Sequence, residues 1–96
     1  MFYIMEAIVT DREAYSATVD QWIPMARTAE RFGGVMKICG GRVEVIVGDW
    51  MPKNLLVMEF PDKDSLDAWT SSEDYADLIE VVSQSADLHV VTAVGA

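Results

Sequence analysis

The sequence predicts an α+β fold in which two helical regions cover one face of a four-stranded antiparallel sheet. Three observations predict it: four short apolar segments typical of strands, two segments with apolar residues at helical spacing, and their order β-α-β-β-α-β along the chain. The chain has 96 residues, which is the usual size of one small domain. We therefore expect residues 1–96 to form a single domain.

The first half of the chain begins with a strand that leads into a helix. Residues 2–9 read FYIMEAIV, a short apolar run, and Thr10 and Asp11 follow as residues that favour a helix start. Apolar residues then recur at spacings of three and four over about 20 residues, which predicts one apolar stripe on a helix. The stripe comprises Tyr15, Val19, Trp22, Ala26, Ala29 and Phe32. Gly33 and Gly34 end this helix, and Pro24 should bend its axis.

A hairpin is predicted in the middle of the chain. Residues 35–47 favour one long strand with a bulge at Gly40 and Gly41, because glycines inside a strand often mark bulges. The segment GDWMPKN at 48–54 is typical of a turn. Residues 55–60, LLVMEF, are expected to form the returning strand.

The second helical region is predicted in two pieces. Asp62 is a candidate N-cap for a piece that carries Leu66 and Trp69, and Ser71 and Ser72 can cap a second piece. That second piece has apolar residues at helical spacing, namely Tyr75, Leu78, Ile79 and Val82. Residues 87–94, DLHVVTAV, form the last predicted strand. The complete order is the ferredoxin-like arrangement, with both helical regions on one face of the sheet.

The strands are apolar on both faces, which predicts a homodimer. In residues 2–9, Phe2, Ile4 and Ile8 point to one face and Tyr3 and Met5 to the other, because side chains alternate along a strand. Two helical regions can cover only one face of the sheet. The other face would expose a large apolar patch, so we expect two sheets to pack face to face.

The charge balance excludes several classes of partner. The chain has 16 acidic and 7 basic residues, for a net charge of −9, and residues 54–96 contain Lys63 as their single basic residue. Direct binding to nucleic acid or to an anionic membrane is therefore not expected. The acidic second helical region is either a solvated face or a docking surface for a partner, and the solvated face is favoured. A single cysteine, Cys39, and the absence of a visible export signal or membrane span indicate a cytoplasmic protein.

Several short motifs together resemble one known family. They are GG at 33–34, GG at 40–41, GDW-x-P at 48–52, EFP at 59–61, AW at 68–69 and S-x-x-Y at 72–75. In this order they resemble the DUF1330 family, a family of unknown function in the dimeric α/β-barrel superfamily. The resemblance covers nearly the whole chain and implies a ferredoxin-like protomer and a face-to-face dimer.

The resemblance implies no mechanism, and the chain departs from the family's pattern. Members of the superfamily include cofactor-independent oxygenases, isomerases, cyclases, haem-binding enzymes and non-catalytic stress proteins. Members of the family commonly have arginine where this chain has Val82 and Gln84, and glutamate where it has Val94. If those polar residues line the family's pocket, the pocket of this chain is more apolar.

Four residues are candidates for catalysis. Arg42 is a candidate anchor for a carboxylate or enolate, and Glu59, if it points into an apolar cavity, would have a raised pKa and could move protons. His89 is the only histidine, and Tyr75 could orient a ligand. A structural role is the alternative for each, and for Arg42 and His89 it is the favoured one.

Four aromatic residues are candidates for a ligand pocket: Tyr3, Trp22, Trp50 and Trp69. The alternative is that they belong to the core, which is favoured for aromatic residues at helical spacing, while Trp50 would pack over the end of the sheet or at the dimer seam. No cofactor motif is present and no metal site is predicted, because the single histidine lacks a second ligand at a recognisable spacing. Cys39 is expected to be a small buried residue.

The leading hypothesis is a homodimeric α/β-barrel protein that binds a mostly apolar small molecule between sheet and helices. Its enzymatic version is a cofactor-independent isomerase, cyclase or oxygenase. The alternative is a non-catalytic structural dimer that docks a partner on its acidic helical face. A cavity that holds polar side chains would favour the first hypothesis, and a fully packed interior would favour the second.

Overall fold

The computed structural model describes residues 1–95 and forms one sheet covered on one face by helices. The strands are β1 (Phe2–Val9), β2 (Val35–Cys39), β3 (Leu55–Glu59) and β4 (Ala86–Ala93). The helices are α1 (Arg12–Arg27), α2 (Lys63–Thr70) and α3 (Glu73–Ser83), and a short 3₁₀ helix, Thr28–Phe32, follows α1. No helix within residues 1–95 is both long and apolar enough to span a membrane.

The sheet topology confirms the predicted fold. The strands lie in the order β2-β3-β1-β4, and every neighbouring pair is antiparallel. The element order is β-α-β-β-α-α-β, because the second helical region consists of two pieces as predicted. This is the ferredoxin-like arrangement.

The helices begin at the capping residues that the sequence indicates. The Asp11 side chain accepts a hydrogen bond from the Ala14 backbone N–H at the start of α1, and Asp62 accepts one from Ser65 at the start of α2. Ser72 does the same for the Tyr75 N–H at the start of α3. Each oxygen satisfies one of the backbone donors that a helix leaves unpaired at its N-terminus.

The glycine pair after the 3₁₀ helix allows close packing against the strand end. Gly33 has a φ of +84°, the left-handed conformation that commonly ends helices. A Cβ atom at Gly34 would lie 2.9 Å from the Ala29 carbonyl oxygen and from the Phe60 ring. Glycine is therefore required for Phe60 to be buried at this position.

The core lies between the helices and the inner face of the sheet. It is built from alternate residues of β1 and β3 and from one face of each helix. An aromatic cluster fills its centre: the Tyr3 and Trp69 rings meet edge to face at 5.1 Å, and the Trp69 and Tyr75 rings do so at 4.8 Å. Tyr3 and Trp69 are fully buried.

The expectation of one long strand over residues 35–47 is wrong. β2 ends at Cys39, and its irregularity lies between Met36 and Ile38. Gly40 and Gly41 have φ values of +72° and +94°, outside the extended conformation, so the strand stops there. Residues 40–54 are a long connector without regular structure, hereafter the connector, rather than a strand followed by a seven-residue turn.

The outer face of the sheet and the connector both expose apolar side chains. On the outer face Val91, Val35 and Ile38 are 59%, 52% and 44% exposed. In the connector Ile46, Val47 and Trp50 are 83%, 89% and 70% exposed. Such contiguous apolar exposure marks an interaction surface more often than a free one.

Candidate functional site

An inner cavity of about 160 Å³ lies between α1 and the sheet, where β2 ends and β3 begins. Its walls are mostly apolar and include Met5, Val19, Trp22, Ile23 and Leu56. A wider outer groove of about 550 Å³ adjoins it and opens to solvent, lined among others by Arg12, Ser16 and Lys53. Tyr15 and Asn54 line both spaces, so they form the boundary between the cavity and the groove.

This site is formed by one face of α1 and by the end of the connector that is hydrogen-bonded to β1. Tyr15, Val19 and Trp22 are spaced four and three residues apart, so they lie on one face of α1. Opposite them, the Asn54 side-chain amide donates to the Ala7 carbonyl at 2.9 Å, and Asn54 has a φ of +48°.

The backbone of Lys53 is also held against β1. Its carbonyl accepts from the Ala7 N–H at 3.2 Å, and its N–H donates to Glu6 Oε2 at 2.8 Å. These two bonds and that of Asn54 fix the rim of the groove, although the rest of the connector is exposed.

Trp22 has a buried hydrogen-bond donor without a partner. Its side chain is 7% exposed, and among residues 1–95 its Nε1 is the one buried side-chain nitrogen or oxygen that lacks a hydrogen bond. The other buried tryptophan, Trp69, donates from Nε1 to Thr28 Oγ1 at 3.0 Å. Trp22 lines the inner cavity, and its unpaired N–H is itself closed to solvent, which is rare because buried polar groups are nearly always paired.

Tyr15 is the phenol at the boundary between cavity and groove. Its ring centroid lies 5.8 Å from that of Trp22. Burial, and then the nearby Cys39 thiol, raise the pKa of Tyr15, which keeps its hydroxyl neutral over the physiological range. A neutral hydroxyl can donate a hydrogen bond to a ligand and accept one from it.

The polar residues of the site are cationic or neutral. Arg12 and Lys53 line the outer groove, and neither forms an ion pair within the part of the chain that the structure describes. In that same part, no carboxylate or imidazole is among the lining residues of the cavity or the groove. The charged side chains that line the groove are therefore cations, and the Glu6 carboxylate at its rim is bound to the Lys53 N–H.

The four candidate catalytic residues lie apart from one another. Arg42 is exposed in the connector, and His89 is exposed on the outer face of β4, opposite Glu6. Glu59 is at the end of β3, where its carboxylate pairs with Lys37 at 3.6 Å. Tyr75 is half-buried, and its hydroxyl lies 3.0 Å from that of Tyr3. Within residues 1–95 none of the four lines the cavity or the groove, and their catalytic roles stay predictions.

The four candidate pocket residues also lie in different parts of the structure. Trp22 lines the inner cavity. Tyr3 and Trp69 belong to the packed aromatic cluster of the core. Trp50 is exposed beside a shallow depression formed by residues 43–47 of the connector.

Sequence reasoning missed three residues of the site: Arg12, Lys53 and Asn54. Arg12 carried a signal, because it is the first residue of α1, where the helix dipole disfavours a positive charge. Such a local conflict is expected at functional sites. Lys53 and Asn54 lay in a predicted turn, and the bonds that hold them against β1 join residues 47 positions apart in sequence.

The described residues contain no group of three or more His, Cys, Asp or Glu side chains that could hold a metal ion. Cys39 is exposed rather than buried as expected, and it lines the inner cavity.

Comparisons with known proteins agree on the fold. A crystal structure of an antibiotic biosynthesis monooxygenase is similar with a TM-score of 0.56 and 13% identity, over 99% of this chain and 100% of that one. A protein of unknown function from Rhodopseudomonas palustris is similar with a TM-score of 0.57 and 20% identity, over 94% of this chain and 78% of that one. Identities this low show a shared fold alone.

The family comparison covers the full sequence. No curated protein matches the chain. The family model described as a domain of unknown function, DUF1330, matches residues 1–96. The chain therefore belongs to the DUF1330 family.

Proposed function

We propose that the protein is a homodimer in which each protomer binds a mostly apolar small molecule in the inner cavity between α1 and the sheet. The observation that carries this proposal is the mostly apolar cavity between α1 and the sheet, with the buried Trp22 side chain among its walls. The volume of about 160 Å³ is close to that of a cavity, about 150 Å³, that holds one benzene ring. A ligand of this size would bury its apolar body and supply the contacts that the cavity walls lack.

Binding is better supported than any one reaction. The enzymatic version of the proposal is an isomerase, cyclase or oxygenase that works without a cofactor. The antibiotic biosynthesis monooxygenase described above is similar to this chain in fold. In this version Tyr15 is the hydroxyl at the cavity that can donate a hydrogen bond to a bound ligand, while its raised pKa makes it a weak acid. Docking of a partner on the acidic helices remains the alternative.

The homodimer is supported by the chemistry of the outer face. Val35, Ile38 and Val91 are exposed there. Two acids of this face have partners within the protomer: Glu59 pairs with Lys37, and Glu6 accepts from the Lys53 N–H. A second copy could therefore cover these two carboxylates without leaving either unpaired, while Asp87, at the start of β4 opposite Ile8, would have to stay in solvent at the edge of the seam.

In this dimer, Glu59 and His89 would lie at the seam between the two sheets. Any role of theirs would then depend on the second protomer. The single cysteine, exposed and unbridged within residues 1–95, fits a reducing compartment, and we propose a cytoplasmic location.

Alkylation of Cys39 tests ligand binding. Cys39 is the only cysteine, and it lines the inner cavity although it is also exposed to solvent, so the rate of its reaction with iodoacetamide reports whether a ligand in the cavity covers its thiol. We expect small neutral apolar compounds of one ring or less to slow this reaction in a saturable manner. In the Val19→Phe variant, whose larger side chain narrows the cavity, Cys39 should be alkylated at the same rate whether or not these compounds are present.

Ala17→Phe is the matched control, because Ala17 is on the same helix but is exposed. This variant should keep the protection seen in the unmodified protein. The proposal is contradicted if no apolar compound slows alkylation, or if Val19→Phe remains protected as fully as Ala17→Phe.

A further inference from the structure

We propose that the ligand of the inner cavity is a small carboxylic acid, whose carboxylate is bound in the outer groove by Arg12 and Lys53. Its body, one aromatic ring or one branched alkyl chain, fills the inner cavity beside Trp22. This inference rests on the proposed function, because it names the chemical class of the ligand for the same site.

The first support is the placement of unpaired positive charge. The protein has 16 acidic and 7 basic residues, so most basic side chains should find an acidic neighbour. Four do so in the described part of the chain: Arg27, Arg31, Lys37 and Lys63. Arg12 and Lys53 do not, and both line the same groove. Two free cations at one opening form a site for an anion.

Arg12 is the first residue of α1 and follows the N-cap Asp11, whose carboxylate already accepts from the Ala14 N–H at the helix start. The helix terminus is therefore served by a carboxylate of the chain itself. The Arg12 guanidinium, which forms no ion pair within residues 1–95, is the group left to bind a ligand anion.

The second support is the match between the groove and the adjoining cavity. Tyr15 and Asn54 line both spaces, so a molecule can place its charged group in the groove and its apolar body in the cavity. The cavity of about 160 Å³ holds about one ring. The Trp22 side chain, which lines the cavity, can then pack against that ring.

Two pairs of matched compounds test the ligand class. Phenylacetate is compared with phenylacetamide, and 4-methylpentanoate with 4-methylpentanamide, at neutral pH and millimolar concentrations. Titration calorimetry measures affinity, and the rate of Cys39 alkylation confirms occupancy of the cavity. We expect each acid to bind roughly three- to tenfold more tightly than its amide, because its partners are charged but exposed to solvent.

Substitutions of the two cations locate the carboxylate. Arg12→Gln and Lys53→Gln should each reduce the preference for the acid, and the double variant should remove it while leaving the affinity for the amide unchanged. Both side chains are exposed, so the variants should fold. Arg42→Gln is the matched control, since Arg42 is also exposed and forms no ion pair within residues 1–95 but lies outside the groove.

The outcomes separate the two proposals. Acids that bind no better than their amides, or an Arg42→Gln effect as large as that of Arg12→Gln, would overturn the ligand class. If neutral apolar compounds still protect Cys39 in that case, binding in the cavity stands and only the anionic class is wrong. If neither acids nor neutral compounds protect Cys39, both proposals fail.

Discussion

At the scale of single residues, two buried tryptophans show how a site differs from the core. Trp69 donates to Thr28 Oγ1 and is surrounded by Tyr3, Phe60 and Tyr75. Trp22 is nearly as buried, yet its N–H has no partner within residues 1–95. An unpaired buried donor costs about 1–3 kcal/mol. Both tryptophans lie at helical spacing among apolar residues, so sequence alone could not separate them.

Tyr3 gives a prediction about pH at the same scale. Burial, and then the hydrogen bond with Tyr75, raise the pKa of Tyr3 above its ordinary value of 10.0. Unfolded tyrosine loses its proton near this value while the folded residue keeps it, so the stabilisation is present below pH 10 and is lost as pH rises. The loss amounts to about 1.4 kcal/mol per pH unit above 10.

The test is urea unfolding of the unmodified protein and Tyr3→Phe at pH 8 and pH 11. The stability advantage of the unmodified protein should shrink by about 1.4 kcal/mol between these two values. Lysine titration affects both proteins equally and cancels in the difference. An advantage that stays constant with pH would show that Tyr3 titrates normally in the fold.

At the scale of elements, Ser72 joins two helices with one hydroxyl. Its Oγ donates to the Trp69 carbonyl of α2 at 2.6 Å and accepts from the Tyr75 N–H of α3 at 3.2 Å. It thus bonds to a backbone carbonyl at the end of one helix, which also accepts from the Ser72 N–H at 2.9 Å, and to a free backbone N–H at the start of the next. One side chain therefore bridges the break between α2 and α3.

The Ser72→Ala variant should therefore be less stable by about 1 kcal/mol, the usual cost of losing an N-cap. Ser71→Ala is the control, because Ser71 is exposed and contributes its backbone N–H to the end of α2. Chemical denaturation of both variants measures the difference. Equal stability of the two variants would contradict the capping role of Ser72.

Elements set by local chemistry could be predicted, and those set by distant contacts could not. Capping by Asp11, Asp62 and Ser72 depends only on backbone groups three residues further along the chain. The alternation of side chains between the two faces of β1 depends only on local strand geometry. Residues 40–47 of the connector were predicted as part of a strand with a bulge at Gly40 and Gly41, and residues 48–54 as a turn. The positive φ values of Gly40 and Gly41 end β2 before that segment. The groove was missed because it depends on bonds between Asn54 or Lys53 and β1.

At the scale of the whole molecule, the fold leaves one face of the sheet without a covering layer. The helices pack on the inner face, and the outer face presents Ile4, Val57 and Val91 in one row across three strands. An antiparallel sheet exposed to water on one side normally alternates apolar and polar residues. The apolar row supports the proposed face-to-face dimer.

The Val91→Glu variant tests the dimer. Val91 is 59% exposed in the protomer, so the variant should fold, but in the dimer it would bury an unpaired carboxylate from each copy. Association should weaken by about 3 kcal/mol or more. Sedimentation velocity should show a dimer of the 10.7 kDa chain for the unmodified protein and for Ala17→Glu, a control on the exposed face of α1, but a monomer for Val91→Glu. A monomeric unmodified protein at micromolar concentration would contradict the dimer.

The most direct test of ligand binding in the inner cavity is the ¹H–¹⁵N spectrum of the three tryptophan indoles, with Trp22 assigned from Trp22→Phe. The compound that best protects Cys39 is added to saturation. The Trp22 cross-peak should shift, because Trp22 lines the cavity and a bound ligand changes the surroundings of its ring, while those of Trp50 and Trp69 stay in place. A Trp22 cross-peak that does not move when the compound is bound would contradict the assignment of this cavity as the ligand site.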